Sequence, residues 1–112
     1  MHKLLFSIAL IFGLTHQAIA EPLDVARGEQ NYKMMCTSCH GSLGHGDGIA
    51  GKALPEAPSN IYEGLNSWFE SEGELIDTVL NGNEGMPAWG SVLGEHDVKE
   101  IFAYIQTINQ TK

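Results

Sequence analysis

Apolar residues fall into four separated stretches of this chain, and each has its own spacing. The first, Leu4 to Leu14, is an almost continuous apolar run of 11 residues. The second begins after Asp24, a plausible N-cap. It carries Val25, Tyr32 and Met35 near helical spacing and runs on into residues 36–40. Gly28 lies one turn before Tyr32, where a larger side chain would block close helix contact. The third stretch opens with Ser71-Glu72-Gly73-Glu74, an S-x-x-E capping box. Leu75, Ile76, Val79 and Leu80 then form one apolar face, and Gly82 closes the element as a C′ glycine. The fourth runs from about Glu95 to Asn109, with Val98, Ile101, Phe102, Ile105 and Ile108 as its buried stripe. Glu95, Asp97 and Glu100 sit in its first turns, where the helix dipole favours acids.

The three periodic stretches after residue 20 predict three helices, and strand signal is slight. The expected class is all-α. Between the first and second helices the chain turns glycine-rich, with Gly41, Gly44, Gly46, Gly48 and Gly51 in eleven residues. Glycine allows positive φ and close backbone approach, which a loop lying against a flat group needs. The stretch lacks the strand–loop–helix setting of a phosphate-binding loop. Pro55 and Pro58 argue against helix in the segment that follows.

The first apolar stretch reads differently. Lys3 precedes it, and Ala18-Ile19-Ala20 follows as an A-x-A cleavage site. Eleven apolar residues are too few to span a bilayer as a helix. Residues 1–20 are therefore expected to be a secretory signal peptide, with an uncleaved anchor as the alternative. Residues 21–112 then form one domain of 92 residues. A chain this short buries a marginal core by itself. Loss of Lys3 leaves five basic against 14 acidic residues, a net charge of −9. That balance argues against nucleic acid and anionic membrane surfaces as partners and favours a protein with a basic docking surface. The plainer alternative is that the charge keeps an exported protein soluble. No stable membrane insertion is expected after cleavage.

Candidate chemistry is concentrated in Cys36-Thr37-Ser38-Cys39-His40, a C-x-x-C-H run that is the attachment signature of a c-type haem. Cys36 and Cys39 would form thioethers to the haem vinyl groups, and His40 would bind the iron. Zinc usually needs four protein ligands, and His2, His16, His45 and His96 supply no second spaced pair. A thioredoxin-like dithiol would want a βαβ setting. A covalent haem also supplies the apolar bulk that so small a core lacks, so the apoprotein is expected to fold poorly.

The other face of the iron needs a ligand. Met86 stands in Gly85-Met86-Pro87-Ala88-Trp89-Gly90, 46 residues after His40 and past the second predicted helix. Pro87 stiffens the backbone beside it, and a thioether raises the potential by favouring Fe(II). The alternative is a packed core methionine. Met34 and Met35 directly precede Cys36 on its own helix. His45, in the glycine-rich loop, is expected to face solvent, and His96 is expected at the surface; bis-histidine ligation through either is the rival. Trp68 and Trp89 are read either as haem-packing or as ordinary core aromatics.

The chain resembles the class I c-type cytochromes, small bacterial single-haem proteins related to the cytochrome domains of haem–copper oxidases. The resemblance rests on Cys36–His40 followed by Gly41, the glycine-rich stretch, Pro58 before Asn60-Ile61, Leu75-Ile76 with Gly82, Met86-Pro87-Ala88 and Tyr104-Ile105. It implies the cytochrome c fold, three main helices and glycine-rich loops wrapped around one covalent haem c. It also implies that the first and last helices cross beside the haem, with Gly28 and Tyr104 near the contact. A proline carbonyl would accept the proximal His40 Nδ1–H, with Pro58 as the match and Pro55 second. A ligating imidazole generally donates its other N–H to such an acceptor.

Together these readings give a periplasmic electron-transfer protein, not an enzyme. It would pass single electrons through a haem iron held by His40 and Met86, with Cys36, Cys39 and Pro58 completing the cofactor site. The alternative is a dedicated cytochrome subunit of a periplasmic dehydrogenase or reductase complex. A haem enzyme or sensor would need an open distal site in place of Met86.

Overall fold

A computed structural model of the chain describes residues 8–14 and 20–110. Lys3 and the expected cleavage motif at Ala18-Ile19 lie outside the described residues. Residues 8–14 carry no regular secondary structure, and Ile8, Leu10, Ile11, Phe12 and Leu14 are exposed.

The described residues form helices and loops, with no strand among them. Helix α1 spans Val25–Met35, and its N-cap Asp24 accepts a hydrogen bond from the Arg27 N–H. After a break at Cys36, the single turn α2 covers Thr37–His40. Helix α4 spans Glu72–Asn81 and α5 spans Glu95–Gln110. Both halves of the capping box are made: the Ser71 side chain accepts from Glu74 N–H, and the Glu74 carboxylate accepts from Ser71 N–H. Two short elements were not expected. A 3-10 turn covers Ala50–Ala53, and α3 covers Ile61–Leu65. Asn60 caps α3 by accepting from Glu63 N–H at 2.9 Å. Pro55 and Pro58 lie between these elements, which agrees with the exclusion of helix there.

The core is built where α1 meets α5. Tyr32, Val98, Ile101, Phe102, Tyr104 and Ile105 are buried together, with Ile76 of α4 and Leu93 beside them. Gly28 explains how close the two helices come: a Cβ there would overlap the Glu100 carbonyl oxygen and lie 3.0 Å from Ile101 N. Tyr104 meets Tyr32 one turn further along, with ring centroids 5.7 Å apart. Of the expected stripe on α5, Val98, Ile101, Phe102 and Ile105 are buried and Ile108 is half-buried. On α4, Ile76 is buried, while Leu75, Val79 and Leu80 are half-buried.

The sequence pattern placed Glu100 with the acids of a helix start; the structure buries it completely. Its carboxylate accepts from Arg27 Nε at 2.7 Å, Arg27 Nη2 at 2.9 Å and Asp24 N–H at 2.6 Å. His96 Nε2 lies 3.5 Å from the same group. A buried carboxylate survives because it is paired and hydrogen-bonded. The Arg27 side chain, followed by the Asp24 amide and the charge of Arg27, holds its pKa below the ordinary glutamate value against the cost of burial.

Two outcomes follow from this packing. Gly28→Ala gains helix propensity of about 1 kcal/mol, but its methyl meets backbone that cannot rotate away, so net destabilisation of about 1–3 kcal/mol is expected in denaturant titration of the holoprotein. The lowered Glu100 pKa makes its contribution to stability complete above the unfolded-state value, near pH 4, and lost as pH falls through the folded-state value. Glu100→Gln should flatten that acid limb in a pH series of unfolding midpoints. An unchanged limb would show that Glu100 is not the group responsible.

Candidate haem site

Helix α1 delivers the C-x-x-C-H run. Cys36 ends α1 and His40 ends α2, so one helical turn separates the two cysteines. Both are unbridged. Burial, with Cys39 adding, pushes the Cys36 thiol up to about 11. A reactive thiol needs a depressed pKa, and burial moves Cys36 the other way. No group of three or more His, Cys, Asp or Glu that could hold a metal ion occurs among the described residues.

His40 is 7% exposed. Its Nδ1 lies 2.9 Å from the Ser59 carbonyl oxygen. A carbonyl only accepts, so Nδ1 carries the proton and Nε2 keeps its lone pair. Burial, opposed by the Ser59 hydrogen bond, lowers the imidazole pKa and so favours the neutral ring. The ring is therefore held as a metal ligand needs it.

The acceptor corrects the assignment to Pro58, and to Pro55 as its substitute. Residues 57–60 carry no regular secondary structure, and the Pro58 and Ser59 carbonyls find different neighbours. The Pro58 carbonyl lies against Gly46, and its ring lies against Gly51. The next carbonyl, that of Ser59, turns to His40. Pro58 remains in the wall of the cavity beside His40.

That cavity, of about 330 Å³, is lined by Cys36, Cys39 and His40 from the end of α1 and α2 and by Met86, Pro87 and Trp89 from the loop after α4. The loop begins at Gly82, whose φ of +72° favours glycine and whose added Cβ would lie 2.7 Å from the Met86 carbonyl oxygen. Asn83 and Met86 close a turn: Asn83 N–H donates to Met86 O at 3.1 Å, and Met86 N–H donates to Asn83 O at 3.2 Å. Trp89 N–H and Gly90 N–H then donate to Val79 O and Leu80 O on α4, at 3.0 and 2.9 Å. Met86 is thus fixed from both sides.

Met34, His45 and His96 are placed away from the cavity, and Met35 is not. Met35 also lines the cavity, whereas Met34 is exposed. His45 does not simply face solvent as expected: it is half-buried, with Nε2 2.6 Å from Asn109 Oδ1 on α5. His96 belongs with Glu100. Neither lines the cavity. Of the two tryptophans, Trp89 lines it and Trp68 is exposed. Tyr62 packs at the edge of the core. Leu54, Glu56, Thr78 and Asn83 also line the cavity and carried no motif.

Cys36, Cys39 and His40 on one helical turn beside one cavity define a class of protein, the c-type cytochromes. The family model described as cytochrome c oxidase, cbb3-type, subunit III matches residues 23–105, and the chain belongs to that family. The chain is 30% identical over 101 residues to a cytochrome bc1 complex cytochrome c subunit of Corynebacterium diphtheriae, covering 88% of this chain and 32% of that one. It is 30% identical to the cbb3-type cytochrome c oxidase subunit CcoP of Azospirillum sp., covering 83% and 31%. It is 32% identical to the chloroplastic cytochrome c6 of Chlamydomonas reinhardtii, covering 87% and 63%. The chain therefore spans about a third of the first two relatives. Its fold is the all-α cytochrome c fold, its cofactor is covalent haem c with iron, and it is an electron-transfer domain.

The loop geometry gives a paired test. Gly82→Ala must strain φ and push residues 86–88, so it should cost about 1–3 kcal/mol, several degrees of thermal midpoint for a domain of this size. A Cβ at Gly73, on α4 and outside the cavity lining, meets nothing closer than Ser71 Oγ at 3.9 Å. Gly73→Ala should not lower the midpoint. Equal effects would mean that Gly82 does not brace Met86.

Proposed function

We propose that the protein is a periplasmic carrier of single electrons whose iron is held by His40 and Met86, with Cys36 and Cys39 as the thioether anchors. The observation that carries this reading is the shared cavity of His40 and Met86, with Ser59 leaving Nε2 of His40 free to bind. When bound, the haem supplies a reversible Fe(III)/Fe(II) couple. The chain supplies the rest. Ser59 orients the proximal imidazole, and the Asn83–Met86 turn holds the thioether. Filling both axial positions leaves no site for substrate, which makes the protein a carrier and not an enzyme.

The export reading rests on Lys3, the run Leu4–Leu14 and Ala18-Ile19-Ala20. It is supported by the apolar side chains of residues 8–14, which are exposed. Among the described residues no helix is long and apolar enough to cross a membrane. A second reading, a dedicated subunit of a larger redox complex, draws on relatives named as cytochrome c subunits of bc1 and cbb3 assemblies. Gel filtration of native extract separates the two, since a free carrier elutes at monomer size. Its redox partners would present basic docking surfaces to a chain of net charge −8, or −9 after cleavage.

The ferric holoprotein should show the weak red charge-transfer band of a sulfur–iron bond. Met86→Ala should abolish it, lower the potential and admit added imidazole or cyanide. Persistence of the band in that variant refutes the ligand assignment. Mass spectrometry should find the chain from Glu21 carrying one haem that acid–acetone does not extract.

A further inference from the structure

Trp68 and Phe69 take no part in the core or the haem cavity. Trp68 is 94% exposed and Phe69 67%, and their rings meet edge to face with centroids 5.6 Å apart. Scattered exposed apolar residues are ordinary; two large aromatics side by side in water mark an interaction surface.

The loop that carries them is tied at both ends. Ser67 N–H and Ser67 Oγ both donate to the Gly64 carbonyl, at 3.2 and 3.0 Å, and Ser67 Oγ accepts from Glu70 N–H at 3.2 Å. Asn66 Nδ2 donates to Tyr62 O at 2.6 Å and to Gln106 Oε1 on α5 at 3.2 Å. The aromatic step therefore projects from a fixed base, and binding through it costs little ordering entropy.

Charge identifies the occupant. From Ala53 to Val98 the sequence holds nine carboxylates and no lysine or arginine. Glu63 and Glu70 line the groove that Phe69 borders, and Glu72 and Glu74 follow on α4, all four exposed. A second copy of this chain, or an anionic lipid surface, would bring like charge to that groove.

We propose that the Trp68–Phe69 step is a docking surface for a cationic segment of a partner protein. An arginine or lysine head would lie over the Trp68 indole with its charge met by Glu63 and Glu70, and its aliphatic stem would cover Phe69. The groove shares no lining residue with the haem cavity. Only the redox nature of that partner rests on the carrier reading; the docking chemistry stands apart from it.

The test uses the ferrous holoprotein and an octa-arginine peptide, followed by the indole N–H resonance of Trp68 and by titration calorimetry. Octa-arginine should shift that resonance. Trp68→Ala should weaken binding about threefold to fivefold at low salt, within the range of exposed cation–π contacts. Trp68→Phe, which keeps an aromatic face, should recover part of the loss. Both variants should keep the haem spectrum and thermal midpoint. Equal affinity of Trp68→Ala and the parent overturns the proposal, because the carboxylates alone would then account for binding. A dimer seen by sedimentation and lost in Trp68→Ala overturns it in favour of a second copy. Binding to phosphatidylcholine vesicles that is lost in the same variant overturns it in favour of a membrane. None of these readouts depends on Met86 ligation, so failure here and failure of the carrier reading are distinguishable.

Discussion

The hydrogen bond from His40 Nδ1 to the Ser59 carbonyl organises the haem site. It fixes the tautomer, aims Nε2 at the cavity and joins the C-x-x-C-H turn to the segment ahead of α3. The glycine-rich loop exists to bring those two pieces together. Gly46 N–H donates to His40 O at 2.8 Å, Gly48 N–H to Cys39 O at 3.0 Å, and Ile61 N–H to Gly44 O at 2.7 Å. The buried Tyr32 hydroxyl donates to the Gly41 carbonyl, which ties the same loop back to α1. Backbone groups that would otherwise be buried without partners thus become the frame of His40.

That frame hangs on one helix pair. At Gly28 the backbones of α1 and α5 come within contact, and beside it the buried Glu100 receives Arg27 and the Asp24 amide. Breaking such a pair exposes more cost than forming it gains. Its value here is positional, because it fixes where α1 ends and so where Cys36 and His40 start. At the far end of α5, Asn109 meets His45 and donates to the Leu43 carbonyl at 2.9 Å. The last helix therefore secures both the start of α1 and the loop after His40.

Much of this was legible in the sequence, for physical reasons that differ by element. The capping box at Ser71 and the stripe on α5 are local or periodic, and the structure places each where the pattern does. The cavity residues Cys36, Cys39, His40 and Met86 carry distinctive chemistry at distinctive spacing. Ser59 has no side-chain role, so only backbone geometry separates it from Pro58. Helix α3 is five residues long, too short for periodicity, and its Asn60 cap was its only mark. The buried state of Glu100 and the His45–Asn109 contact depend on partners 73 and 64 residues away, which no local pattern reports. Trp68 was read as a packing residue because large aromatics usually are; its exposure is a property of the surface that the loop presents.

The central claim is that one thioether, that of Met86, completes the iron coordination begun by His40. Proton NMR of the ferrous holoprotein labelled with ¹³C at its methionine methyls tests it most directly. A methyl held against the haem face is shifted far upfield by the ring current. The account predicts one such methyl resonance, absent from Met86→Leu, with the Met34 and Met35 methyls in the ordinary range. An upfield methyl that persists in Met86→Leu, or none in the parent protein, would contradict it.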